Sequence, residues 1–259
     1  MKKNYKYLIL FSILFFYGLL MFFYFSNKKK KELFVVVDNY AVFNYDNKKW
    51  YNIILNSRNI NDYSWKKYNV YLNGNSIGKK ILWFDEKWYL FDLKHNPINY
   101  SDPLLGIHNT YDYDIKYLNV DDTIVDYSDK NLNKALKLYK IDIDNNYTSL
   151  YRKIFDIDND GIDESIYVVS NSFADDFTAK KYYSLVFMVK NGKFSRLFYN
   201  SSDDNYRSCK AYISNIVDLD NDNKYEIFVN CGKYSDGKPI VSILKYKNGG
   251  FDTLVTTNK

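Results

Sequence analysis

Asp156, Asp158 and Asp160 alternate along the stretch FDIDNDGIDESI (residues 155–166), with Gly161 behind them and Glu164 near its end. Carboxylates at alternate positions converge on one point only where the backbone coils, and Gly161 permits the positive φ that such a coil needs. Three or four carboxylates plus a backbone carbonyl form a hard-oxygen donor set. That set suits Ca²⁺, which takes about 6–8 oxygens at about 2.3–2.6 Å. The pattern returns as VDLDNDNKYEI, carrying Asp218, Asp220, Asp222 and Glu226. Asn223 stands where the first copy has glycine, and asparagine is the next best residue for a left-handed turn.

Aspartate is common in this chain, so glutamate is the more telling residue. Glu32, Glu86, Glu164 and Glu226 are its glutamates, and two of them hold the same place in the repeat. Asn159 matches Asn221, and Ile154 matches Ile216. Two polar hairpin turns rich in Asp and Asn are the alternative, since turn chemistry favours the same residues. An EF-hand does not fit. Its closing glutamate position would fall on Tyr167 or Val229, between flanks that are β-branched and aromatic rather than helical.

Set between two strand-like runs, D-x-D-x-D-G-x-x-E resembles the calcium loop of FG-GAP and VCBS repeats, the blades of integrin-α-type β-propellers. The resemblance covers residues 147–259, where the FG and GAP tripeptides themselves are missing. It implies two structural Ca²⁺ ions, each held in a loop joining the first two strands of a four-stranded blade. The first would be bound by Asp156, Asp158, Asp160 and Glu164 with the carbonyl of Ile162. The second would be bound by Asp218, Asp220, Asp222 and Glu226 with the carbonyl of Lys224.

The elements that must position these loops can be read from pattern and turn signals. One unit runs strand 149–155, acidic loop, strand 165–170, strand 183–190, an Asn191-Gly192 turn and strand 194–199. The next repeats that order with strands 210–217, 226–231, 239–246 and 251–256 and an Asn248-Gly249 turn. Before them, Ser128 is placed to cap a helix with Leu132, Ala135, Leu136 and Tyr139 on one face. Residues 33–127 read as further strands with turns at 46–48, 73–74 and 85–86. The fold class expected is mainly β, built from antiparallel, blade-like four-stranded units. Two such units are too few for a ring of about four to eight blades, so an open β-domain is favoured over a propeller.

Residues 8–25 form an uncharged apolar run with lysines on both sides, long enough to span a hydrocarbon core of about 30 Å. No small-residue cleavage site follows, so an uncleaved single-pass transmembrane helix is expected. The organisation is then an anchor over 1–32, a β-rich domain over 33–127, and a linker helix with two repeats over 128–259. Lysines flank the run at 2, 3 and 6 and again at 28–31, so the positive-inside rule barely decides orientation. Calcium loops and a disulfide would both favour a body outside the cytoplasm. Cys209 and Cys231 flank the second loop symmetrically, where a hairpin would bring them together as a disulfide or as two buried thiols.

The net charge of +5 resides in the lysines around the apolar run, and the rest of the chain is nearly neutral. That leaves no electrostatic case for nucleic-acid binding. Trp50, Trp65, Trp83 and Trp88 fall within the β-rich segment, where core packing is the commoner role and a platform for a sugar or peptide the other. His95 and His108 lack partners at ligand spacing, and no nucleophile or phosphate-loop motif is present. The expected function is a membrane-anchored binding module for a protein or glycan, leaning away from an enzyme. A hydrolase of envelope polymers, with its site in 33–127, and an assembly component of an envelope complex are the alternatives.

Overall fold

A computed structural model describes residues 15–17, 31–38, 41–46, 48–55, 58–100, 103–111, 113–141, 147–172, 181–203, 208–233 and 240–257. The chain divides into two compact units, Met1–Glu32 and Leu33–Lys259. Most of the expected membrane anchor lies outside the described residues. Of residues 8–25, only Phe15, Phe16 and Tyr17 are described, and they are helical. Among the described residues no helix is long and apolar enough to cross a membrane.

The larger unit is three antiparallel sheets. The first contains β1 (Leu33–Val37), β2 (Ala41–Asp46), β3 (Lys49–Ile53), β4 (Lys66–Leu72), β5 (Asn75–Asp85), β6 (Lys87–Phe91), β7 (Pro97–Ile98) and β8 (Leu104–Asn109), with α1 (Ile60–Tyr63) between β3 and β4. Its order is β3-β2-β1-β8-β4-β5-β6-β7. The second holds β10 (Thr123–Ile124), β11 (Ser149–Phe155), β12 (Glu164–Ser170), β13 (Tyr182–Lys190) and β14 (Lys193–Ser202) in sequence order. The third runs β18 (Gly250–Thr256), β17 (Ile240–Lys247), β16 (Glu226–Lys233), β15 (Cys209–Asp218) and β9 (Lys116–Tyr117). The strands expected for the two repeats therefore form, as two four-stranded meanders. The three sheets do not close a propeller.

Local chemistry sets the turns. Asn73-Gly74, Asn191-Gly192 and Asn248-Gly249 all place both residues at positive φ, the geometry that matches a two-residue hairpin to strand twist. Alternation then sorts the side chains. On β12, Ile166 and Val168 enter a core with Ile213, Ile227 and Val229 of the third sheet. Tyr167 and Val169 point the other way and meet Leu132, Ala135 and Leu136 of α2 (Lys130–Leu138). The far side of the third sheet presents Val217, Phe228 and Ile243 to Val35, Phe43 and Ile107 of the first. The result is a stack of helix, sheet, sheet and a third, curled sheet.

The first sheet curls around a core of its own, in which Val36 and Val42 meet Tyr68, Leu82 and Trp88. Gly106 makes the curl possible. It sits between Val36 and Val70 in the ladder, and a Cβ there would lie 2.5 Å from Leu82 Cδ1.

The helix cap differs from expectation. Asp129, not Ser128, accepts the first amides of α2, from Asn131 at 2.8 Å and Leu132 at 2.9 Å. Ser128 instead donates its N–H and hydroxyl to Asp126. Both residues satisfy the chemistry of a cap, and the placement of the chain one residue later decides between them.

The two-residue strands β9 and β10 are too short to carry a sequence signal of their own. β9 extends the third sheet through β15, and β10 extends the second through β11, so residues 116–124 strap the two together. Between them Leu118 N–H donates to the Ile216 carbonyl at 2.9 Å, and Lys153 Nζ donates to the Val120 carbonyl at 2.6 Å.

Candidate cation sites

Each acidic loop joins the first two strands of its meander, β11 to β12 and β15 to β16. The backbone coils as the spacing requires. Asn159 and Gly161 take φ of 59° and 84° in the first loop, and Asn221 and Asn223 take 58° and 63° at the matching positions of the second. Asn223 thus does replace glycine in the left-handed region.

Hydrogen bonds inside the loops hold the carboxylates in place. Asp156 accepts from Asp160 N–H at 3.0 Å and Gly161 N–H at 2.7 Å, and Asp160 accepts from Ile162 N–H at 3.0 Å. Asp218 accepts from Asn223 N–H at 3.1 Å, and Asp222 from Lys224 N–H at 3.0 Å. Glu164 and Glu226 reach back identically. Oε2 of each accepts an amide from the residue after the first aspartate, Ile157 or Leu219, at 2.8 Å. Ile162 and Lys224 enter these bonds through N–H groups.

Asp156, Asp158 and Glu164 each offer an oxygen, and these lie within 4.8 Å of one another. Asp218, Asp220 and Glu226 do the same. Glu164, Asp218 and Glu226 are fully buried. Two buried acidic clusters that could hold a metal ion are therefore present. Asp160 and Asp222 stand at the exposed rim of each.

A residue that the sequence did not single out lies at the centre of each cluster. Lys190 Nζ is 2.7 Å from Asp158, Asp160 and Glu164. Lys245 Nζ is 2.7 Å from Asp220, 3.0 Å from Asp222 and 2.8 Å from Glu226. Both come from the third strand of the meander. Glu226 is directly opposite Lys245, and Glu164 adjoins the Ser165–Val189 pair that precedes Lys190. Counting the register back from the closing glutamate would have found them.

No protein-family model, curated protein or solved structure matches the chain.

The electrostatics follow from burial opposed by the lysines. Burial pushes the Glu226 carboxyl up to about 7, with Asp220 adding to the effect and Lys245 opposing it. Burial also raises Glu164 and Asp218. Burial would lower Lys190 and Lys245, yet the surrounding carboxylates win and hold both ammonium groups above the usual lysine range.

The two loops are neighbours. Tyr225 N–H donates to the Ile157 carbonyl at 3.0 Å, and the Phe155 and Tyr225 rings meet edge to face at 6.3 Å. At the end of the β15–β16 hairpin away from the second loop, Cys209 and Cys231 form a disulfide with a Cα separation of 5.3 Å. They sit diagonally across the ladder, because Cys231 is paired with Ala211.

The other singled-out residues lie elsewhere. His108 bonds the Lys67 carbonyl through Nδ1 at 2.8 Å and stacks on Phe34, while His95 contacts Trp65. Trp88 is a core residue, whereas Trp65 is half-exposed and joins Trp83 and Phe91 in an aromatic row on the first sheet. Asp122 pairs with Lys153 at 2.8 Å. A separate cleft of about 220 Å³ opens where the strap passes the first sheet, with Asp38, Asn73, Asn119, Lys153, Ser214 and Asn215 on its walls.

Proposed function

We propose that the chain is an extracytoplasmic binding module, anchored in a membrane by residues 8–25, whose two repeats are FG-GAP/VCBS-type units stiffened by Ca²⁺ at the acidic loops. The observation that carries this reading is the convergence of carboxylates in both loops at matching positions of matching meanders. An all-oxygen donor set favours calcium over zinc or copper, which prefer nitrogen or sulfur ligands. Such an ion is structural. It neutralises groups that otherwise repel one another, and it locks each hairpin at its turn.

The disulfide across the β15–β16 hairpin supports a body outside the cytoplasm, because such bonds persist in oxidising compartments. The polar cleft between strap and first sheet supports a ligand rich in hydrogen-bonding groups, such as a glycan or a peptide backbone.

Thermal unfolding of the full-length chain in detergent, first in chelator and then across a calcium titration, tests the reading. At about 100-fold excess over its dissociation constant, a ligand bound only by the folded state stabilises by about 2.7 kcal/mol, or roughly 5–10 °C for a body of this size. Absence of any shift up to millimolar calcium would sink it. Digestion of intact cells by added protease tests the orientation, with loss of the folded body expected.

A further inference from the structure

We propose that the two loops are unequal: the second is a divalent-cation site from which Lys245 is displaced on binding, and the first is closed permanently by Lys190. This rests on reading the acidic loops as cation sites and narrows it from two bound ions to one, the cation of the first loop being the Lys190 ammonium.

The two clusters carry the same charged groups, and in each the lysine reaches three of the four carboxylates; they differ in how far backbone amides satisfy the fourth, Asp156 or Asp218. In the first, both oxygens of Asp156 already accept backbone amides, and Lys190 reaches the other three carboxylates. In the second, Lys245 reaches Asp220, Asp222 and Glu226, and Asp218 is left out. Asp218 is fully buried, and its Oδ1 has no hydrogen-bond partner among the described residues. A buried carboxylate oxygen without a partner is costly, and Asp218 is one of the three residues whose carboxylates converge within 4.8 Å. An ammonium can donate at most three hydrogen bonds, and Lys245 has three carboxylates in reach, so it cannot also serve Asp218. A divalent ion, with about 6–8 coordination positions, can take all four.

The surroundings point the same way. Lys245 lies on the wall of an open depression of about 440 Å³, with Asp220, Asp222 and Lys224, so an ion has a way in and the ammonium a way out. Lys190 is held more firmly, because its ammonium also stands 5.4 Å over the Tyr246 ring. Displacing Lys190 would forfeit that contact as well as three ion pairs. The chain thus carries one exchangeable site and one site with its own cation built in.

Calcium and terbium titrations of the full-length chain, after chelation, decide the matter by calorimetry and by sensitised terbium emission. The expected result is one ion per chain, lost in Glu226→Gln and kept in Glu164→Gln. Lys245→Met should tighten binding at least about tenfold, since a competing like charge is removed. Lys190→Met should create a second site. Two ions in the natural chain, or loss in Glu164→Gln, would overturn the inequality and leave the cation reading intact. Unchanged affinity in Lys245→Met would overturn the displacement. An ion taken up only by the lysine variants would show that the natural second loop is not a metal site. Binding by none of the proteins would remove the cation reading itself. Should Glu226→Gln fail to fold, the two lysine variants still decide.

Discussion

Glu226 and Lys245 face each other across the β16–β17 ladder, with Nζ 2.8 Å from Oε1 of a carboxylate that has no solvent exposure. A buried charge that loses its partner is far more costly than the pair itself is stabilising. In chelator, Lys245→Met should therefore destabilise the fold by about 3–5 kcal/mol. Calcium should restore much of that loss by taking the place of the ammonium. Denaturant unfolding of natural and variant chains, with and without calcium, measures both effects. A variant as stable as the natural chain in chelator would mean that Glu226 is protonated or hydrated without Lys245.

Reduction should loosen the hairpin that carries the second loop. The Cys209–Cys231 bond closes a loop with a sequence separation of 22, which holds the whole second acidic turn. Chain-entropy reasoning for a loop of that size gives about 3 kcal/mol of stability lost on reduction. Cys209 and Cys231 are both fully buried in the core between the second and third sheets. The unfolding curve in reductant should shift from that of the oxidised chain and agree with that of a Cys209→Ala, Cys231→Ala double variant, which should not itself respond to reductant. A reductant effect that persists in the double variant would exclude the disulfide as its source.

Much of this arrangement is written locally and could be read from the chain. Asp spacing, Gly161 and the closing glutamates define the loops, because coiling and the convergence of the carboxylates are decided within a dozen residues or so. Alternating residues and Asn-Gly pairs define β11 to β18 for the same reason. Lys190 and Lys245 are not legible in the chain alone, because their place depends on the register between neighbouring strands, and a lone lysine at a strand end reads as a solvated one. β9 and β10 are two residues each, too short to show a period, and exist only because β15 and β11 offer free edges to them. The curl of the first sheet is likewise tertiary. Gly106 ends a run that reads as a loop by its prolines and glycine, whereas the structure places it within β8 at a close approach to Leu82.

That close approach gives a prediction of its own. Gly106→Val would drive a side chain into Leu82 Cδ1, 2.5 Å from where its Cβ must sit, with Tyr68 and Val36 closing the other sides at 3.4 and 3.6 Å. Overpacking of this kind costs about 1–3 kcal/mol. Pairing the change with Leu82→Ala should recover part of the loss, since the clash is removed although a different cavity is made. A double variant no better than the sum of the singles would mean that the strain lies in the backbone and not in the Leu82 contact.

The tyrosines around the strap predict how stability falls in alkali. Burial raises Tyr117 and Tyr113 to about 12, and Tyr117 stacks on Tyr71 at 4.5 Å while Tyr113 donates to the Leu219 carbonyl at 3.1 Å. Tyr100, bonded to the Trp88 carbonyl at 2.8 Å, is also raised to about 12. An unfolded tyrosine loses its proton near pH 10. Between about pH 10 and 12 the unfolded chain therefore holds fewer protons than the folded one, and stability must decline as pH rises. Below pH 10 these groups contribute no slope, because both states are protonated. Replacing Tyr117 by Phe keeps the stacking surface and removes one ionising group, so the decline should become shallower over that window. Near-ultraviolet titration of the folded chain gives the tyrosine ionisation directly, and urea unfolding at several alkaline pH values gives the slope. An equal slope in Tyr117→Phe would mean that Tyr117 ionises in the folded chain as readily as in the unfolded one, and that the strap does not shield it.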